Sequence, residues 1–365
     1  MTKDKPKNVG RCRGFTLVEL LVVIGIIALL ISILLPTLSK ARRAANTVAC
    51  SANLRSIVQA MEMYAQAYNG YIPGGAQSSG AFLTAPPKPP SIEWNSLFNK
   101  NNCPDICQTW DWESPLAAMM GVQFNTAGDL TSRMQRFYFM NSYPAFVCPE
   151  NQFLSYEYSV TTGPVIQMGS YVTSMIFLLA APPTSKYGTL LDSSFQQFVN
   201  YSYYTLPSGY VPKLNKIGPP SRKIYIADGG KYSSPSELPN YDLTYSSEDQ
   251  GGAYSDFGAY SAYSTALNRN AASGNWSSGT APQDDSRIFG FRHGNQSPYG
   301  KTNSYRFNAG FFDGHVETLS DLEGADPAYW LPTGTVVKNS EITKDAQIKY
   351  SSDQTGSGIG FTTVQ

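Results

Sequence analysis

Charge is what this sequence has least of. Asp, Glu, Lys and Arg make up 15% of its 365 residues, against roughly 25% in an ordinary soluble domain. The 27 basic and 27 acidic residues cancel, so there is no broad basic field and no nucleic-acid partner is expected. Histidine is scarcer still, with only His293 and His315. Neither comes with a nucleophile motif or an oxyanion motif, so no enzymatic activity is expected and no catalytic residue is named. Five cysteines are present without a C-x-x-C pair, which removes the signature of a four-cysteine zinc site. In place of charge stand 24 tyrosines, 31 glycines and 24 prolines, with 42% hydrophobic residues. That mixture suits β-structure and long turns under an uncharged polar surface. The length allows one large domain or two ordinary ones.

One long apolar run lies near the beginning. Residues 15–35 are interrupted only by Thr16, Glu19 and Ser32. At ~1.5 Å per residue they make a helix of about 31 Å, close to the ~30 Å hydrocarbon core of a bilayer. The preceding "MTKDKPKNVGRCRG" holds five basic residues and one acidic. That flank is expected in the cytoplasm, with the C-terminal bulk across the membrane. A cleaved signal peptide would have a shorter apolar stretch ending in small residues, whereas "PTLSKARRAAN" follows here. Glu19 is the anomaly. A carboxylate at bilayer depth is costly unless it finds a partner. A plain signal anchor explains neither Glu19 nor the glycine directly ahead of Phe15.

These residues resemble a known family. "RGFTLVELLVVIGIIALLISILLP" is similar to the N-terminus of type IV prepilins and type II secretion pseudopilins. The resemblance implies cleavage between Gly14 and Phe15 by a prepilin peptidase, the same enzyme methylating the new N-terminus at Phe15. Residues 1–14 would then be a leader. Glu19 becomes the fifth residue of the mature chain, and Pro36 falls where such helices carry a helix-weakening proline. The resemblance implies single-pass insertion in the inner membrane, a periplasmic head, and later assembly with other pilin or pseudopilin subunits. Glu19 would face the methylated amine of a neighbour inside a low-dielectric helix bundle, where a charge pair acts strongly. Removing five basic and one acidic residue from 27 and 27 leaves 22 and 26, a slightly acidic mature chain.

Beyond the run, Leu54, Ile57, Val58, Met61, Tyr64, Ala65 and Tyr68 follow the stripe of an amphipathic helix. Asn69-Gly70 reads as its stop and Pro73 forbids a quick restart. One helix is therefore expected over 15–69, with 15–35 transmembrane. Residues 70–365 are expected to form a globular head, giving an α+β, pilin-like fold with an antiparallel sheet. "SIEWNSLFNK" reads as a short helix, "KIYIA" at 223–227 as a buried strand, and Ser233 to about Ser286 as surface loops.

"NAGFFDGHVETL" has the form of a β-hairpin around Asp313-Gly314, a dipeptide that favours a type I′ turn. "RIFGFRH" is read as a neighbouring strand, in a module over about 286–320. The block resembles the C-terminal module of a pilin-like subfamily with a histidine, nine residues and Asp-Gly. Here nineteen residues separate His293 from Asp313. "CSANLRSI" and "VCPE" also resemble elements of that subfamily. His293, Asp313 and His315 are a conceivable metal set, without a fourth ligand. "SSEDQGGAYSD" and "APQDDS" offer oxygen ligands that match no calcium motif, so no cofactor is expected beyond a conceivable calcium ion. Cys12 leaves with the leader. Cys50, Cys103, Cys107 and Cys148 lie beyond the membrane run, where disulfides can form; the preferred pairings are Cys103–Cys107 and Cys50–Cys148. Two functions follow: a structural filament subunit, or a head displayed on the membrane or filament tip to bind a glycan or other extracellular ligand.

Overall fold

A computed structural model describes residues 16–75, 78–79, 104–108, 110–151, 154–157, 164–167, 169–179, 204–229, 240–241, 243, 292–294, 305–339, 342, 344–350, 354–356 and 360–365. It begins with one helix, α1 (Leu17–Ala67). The chain divides into two compact units, Met1–Ala45 and Asn46–Gln365. In the first unit, every large apolar side chain from Leu17 to Leu38 is exposed. The segment is long and apolar enough to cross a membrane. Helix α1 continues through Pro36. Proline has no N–H to offer the preceding turn, and nearby hydroxyls bond to backbone there: Ser32 Oγ to Leu29 O at 2.7 Å and Thr37 Oγ1 to Leu34 O at 2.8 Å.

In the second unit the amphipathic stripe does what its period requires. Cys50, Leu54, Ile57, Val58, Met61, Tyr64 and Ala65 are buried, while Tyr68 stays exposed and stacks on Tyr64. The helix ends in a Schellman motif, with Asn69 at positive φ (55°) and Gly70 N bonded to Ala65 O at 2.7 Å, which satisfies a terminal carbonyl.

The stripe packs on a four-stranded antiparallel sheet, ordered β3 (Tyr171–Thr173), β5 (Ile224–Asp228), β7 (Arg306–Phe311), β8 (Val316–Ser320). All five residues of β5 are buried, as suits a central strand covered on both faces. The two-residue alternation of a strand sorts the side chains. Asn308 and Gly310 turn towards α1: Asn308 Nδ2 reaches Thr47 O, and a Cβ on Gly310 would meet Val58. Phe307 and Phe311 turn away and pack on Trp330 and Tyr329. Lys223, just ahead of β5, is buried and donates to Ala328 O and Leu331 O, each at 2.8 Å.

The β7–β8 hairpin forms, but with a different turn from the one expected. Phe311 N bonds to His315 O and Gly314 N to Phe311 O, and Gly314 alone takes positive φ. This is the three-residue loop with one left-handed glycine, whereas type I′ needs two residues at positive φ. Among the described residues the strands beside β7 are β5 and β8. Of "RIFGFRH" only Arg292 and His293 are described, in a turn whose His293 N bonds to Arg306 O, and the rest of that expected strand lies outside the described residues.

Two further sheets complete the described head. One is antiparallel, ordered β10 (Gln354–Gly356), β11 (Phe361–Val364), β9 (Val336–Lys338), β4 (Tyr204–Thr205). The other joins β1 (Leu154–Glu157) to β2 (Ile166–Gln167) and, in parallel, to β6 (Asn240–Tyr241). Strand β6 revises the surface-loop reading of 233–286: Tyr241 and Leu243 are buried in a small cluster with Phe137 and Cys107. The rest of that stretch, and "SIEWNSLFNK", lie outside the described residues. Two short helices, α2 (Glu113–Met119) and α3 (Leu130–Ser142), precede β1. Asp129 caps α3 through Ser132 N at 3.0 Å.

Candidate functional site

The processing segment is described from Thr16 onward; Cys12, Gly14 and Phe15 lie outside it. Glu19 also has a partner within its own first helical turn. Glu19 Oε2 accepts from Thr16 N at 2.9 Å and from Thr16 Oγ1 at 2.8 Å, while Glu19 N lies 3.3 Å from Thr16 Oγ1. This is a capping box, in which a threonine and the glutamate three residues later satisfy each other's backbone donors. Its T-x-x-E signature was visible at 16–19, so Thr16 could have been named from sequence.

A second site lies in the seam between α1 and the sheet. Cys50 sits on the buried stripe of α1. Asp228 ends β5 on the face turned towards the helix, with Cys50 Sγ 2.9 Å from Asp228 Oδ1. Cys148 follows a short 3-10 turn at Pro144–Phe146. Asn53, three residues along α1 from Cys50, holds that loop by donating to Pro144 O at 2.9 Å and Val147 O at 3.0 Å. His293 comes from the Arg292–Gly294 turn. Arg292 anchors this turn by donating to Ser170 O and Gly229 O, at 2.7 and 2.5 Å. His293 Nε2 lies 3.2 Å from Asp228 Oδ2 and 3.7 Å from Cys148 Sγ, while Nδ1 lies 3.1 Å from Thr47 Oγ1. Asn308 N donates to Asp228 Oδ2 at 2.6 Å, and Arg292 Nη1 is 3.8 Å from Asp228 Oδ1. The side chains of Asp228 and His293 are both 0% exposed, and Cys50 and Cys148 are buried equally completely.

Such enclosure shifts the titrations. Burial drives the Cys50 thiol well above its ordinary value, reinforced by Cys148 and the Asp228 charge. The hydrogen bond from Cys50 outweighs burial at Cys148 and lowers it to about 6, with His293 and Arg292 adding to the effect. Burial opposes the imidazolium of His293, but Asp228 and Cys148 overcome it and raise the group to about 9. Cys148, His293 and Asp228 thus share one dry space. This is not a nucleophile relay. A relay uses one ring nitrogen for the nucleophile and the other for the carboxylate, whereas Nε2 here faces both.

The other sequence candidates fall elsewhere. His315 Nδ1 pairs with Asp313 Oδ1, Nε2 lies 3.7 Å from Glu317, and the ring stacks on Phe311. That pair sits at the hairpin turn, whereas His293 bonds to Arg306 at the far end of β7. Six residues of strand, about 20 Å, keep them apart, so His293, Asp313 and His315 do not form one set. Cys50 and Cys148 meet, but as unbridged thiols rather than a disulfide. Cys107 is a buried thiol 3.7 Å from Ser114 Oγ; its suggested partner Cys103 and both calcium-type stretches lie outside the described residues. Asp228 was read only as the end of a strand. Nothing local could have marked it, since Cys50 and Asp228 are 178 positions apart and Cys148 and His293 are 145 apart.

Comparison with known proteins agrees with the N-terminal reading. Residues 10–35 match the family model described as the prokaryotic N-terminal methylation motif. Residues 39–199 match a family described as "Protein of unknown function (DUF1559)". A curated relative, the type IV wide pilus major component PilA4 of Thermus thermophilus, is 48% identical over 59 residues, covering 16% of this chain and 45% of the relative. The match thus spans less than half the length of that relative. No solved structure matches the chain. The N-terminal segment of this chain is thus similar to that of a type IV pilin and carries the prokaryotic methylation motif.

Proposed function

We propose that the chain is a structural subunit of a pilus-like or secretion-pseudopilus filament, cut after Gly14 and N-methylated at Phe15 by a prepilin peptidase. One observation carries the reading. The helix that carries the methylation motif exposes every large apolar side chain from Leu17 to Leu38. Such a surface needs either lipid or the helices of other subunits. The membrane is then the waiting place, with the head across it, and the filament the destination.

The capping box refines the part played by Glu19. Both short hydrogen bonds from Thr16 use Oε2, so Oε1 is the oxygen a neighbour's methylated amine would meet. Cutting after Gly14 makes Thr16 the second residue, and the box then organises the new N-terminus. Top-down mass spectrometry of the cell-associated protein tests the reading. The expected species starts at N-methylphenylalanine 15; an intact Met1, or a cut elsewhere, would overturn it.

A further inference from the structure

Four side chains of metal-binding type face one point in the buried seam of the head. Cys50 Sγ, Cys148 Sγ, an Asp228 oxygen and a His293 ring nitrogen all lie within 4.8 Å of one another. We propose that they form a metal site taking a zinc-like divalent ion in a tetrahedral shell of two thiolates, one carboxylate oxygen and one imidazole.

The spacing supports this. Ligands at ~2.0–2.3 Å from a tetrahedral zinc stand roughly 3.3–3.8 Å from each other. The contacts here are 2.9 Å from Cys50 to Asp228 Oδ1, 3.2 Å from His293 to Asp228 Oδ2 and 3.7 Å from Cys148 to His293, with one oxygen of Asp228 within 4.8 Å of all three other donors. The donors are therefore gathered at nearly ligand spacing. The ring orientation agrees. Nε2 faces Asp228 Oδ2 and Cys148 Sγ, while Nδ1 meets Thr47 Oγ1 at 3.1 Å, the outer contact that fixes tautomer and orientation in a metal-bound histidine. Donor chemistry narrows the ion, because paired thiolates with imidazole at tetrahedral spacing favour zinc over calcium or magnesium.

Charge agrees as well. Three anionic donors around a dication leave one negative charge in a dry space, and the buried Arg292 guanidinium stands 3.8 Å from Asp228 Oδ1 to offset it. Full burial of the donors marks a structural site rather than a catalytic one. The ion would tie α1, the Cys148 loop, the end of β5 and the Arg292–Gly294 turn together at one point. It would bind the folded head and not the unfolded chain, and so stabilise it by mass action. A Cys50–Cys148 disulfide is the incompatible alternative. It needs the sulfurs at about 2.0 Å and would consume both thiolates.

The test uses the full chain in detergent, purified without chelator or reductant. Elemental analysis is expected to find about one zinc per chain, with Cys50 and Cys148 protected from alkylation until a chelator is added. After stripping under reductant, cobalt(II) titration should give thiolate-to-cobalt charge-transfer absorption saturating at about one equivalent. Cys148→Ser and His293→Ala should lose that spectrum and Cys107→Ser should keep it. Thr47→Val, which removes the hydroxyl facing Nδ1, should weaken cobalt binding about 10-fold or more. Because the spectrum of the native chain itself reports thiolate ligation, the test survives a variant that fails to fold. Three results would overturn the proposal: a reduced native chain that binds neither zinc nor cobalt, equal cobalt spectra from Cys148→Ser and Cys107→Ser, or a native Cys50–Cys148 disulfide. None of them bears on cleavage after Gly14, so this site and the filament reading fail separately.

Discussion

Replacing Gly310 by alanine probes how closely α1 is held on the sheet. The added Cβ would lie 2.6 Å from Val58 Cγ2 and 3.3 Å from Ile226 Cγ2, whereas carbon atoms prefer about 3.5–4.0 Å. Val58 and Ile226 are fully buried, and Ile226 is paired in register with Gly310, so neither neighbour can swing into solvent. Helix and sheet must separate by roughly 1 Å at this point, and overpacking of this kind costs about 1–3 kcal/mol. Val58→Ala alone removes two methyl groups from the same place, at about 1–2 kcal/mol. In the double variant the new methyl occupies the vacated space, so the two costs should fall short of additive by about 1–2 kcal/mol. Urea denaturation of the full chain in detergent, followed through the buried Trp110, Trp112 and Trp330, measures all four corners of the cycle. An unchanged m-value would assign the shifts to stability. A cost below about 0.5 kcal/mol for Gly310→Ala, or strict additivity in the double variant, would refute the packing argument.

Three other expectations concern separate regions. Glu19→Val should leave membrane insertion intact and abolish incorporation into filaments; normal incorporation, measured on sheared filaments against membrane fractions, would remove Glu19 from the assembly contact. Asn53→Ala removes the donor to Pro144 O and Val147 O. It should cost about 1–2 kcal/mol and raise hydrogen exchange over 144–151; unchanged exchange there would show that the loop is held by other contacts. Burial lowers Lys223 from 10.5 to about 7, with Asp326 opposing the shift and Arg222 adding to it. Between those values the unfolded chain binds a proton that the folded chain lacks, so stability rises with pH. The gain from pH 7 to 9 should be on the order of 2 kcal/mol and should vanish in Lys223→Met. Parallel denaturation midpoints for the two proteins across that range would contradict the assignment.

Several parts of the fold were legible because their causes are local. The apolar spacing from Leu54 to Ala65 and the Asn69-Gly70 stop are properties of consecutive residues, and the buried face and the Schellman ending follow from them. The apolar run Ile224–Ala227 behind Lys223 announced a buried strand. The hairpin was legible as a hairpin, but its turn was not. Turn type depends on which backbone groups pair across the loop, here Phe311 N with His315 O. The pairing of β5 with β7 was not legible for a related reason: it depends on sheet order, and β5, at 224–228, lies far upstream of the hairpin.

The sequence by itself determined the N-terminal segment. The methylation motif is matched within residues 10–35, and even the Thr16–Glu19 capping box is written in a four-residue signature. Tertiary structure alone decided the interior of the head. Cys50, Cys148, Asp228 and His293 come from a helix, a loop, a strand end and a turn. What brings them together is the helical phase that turns Cys50 inward, the strand alternation that turns Asp228 towards it, and the β5–β7 register that sets Asn308 beside them. Each of these is a relation between elements, and no local pattern in the chain records it.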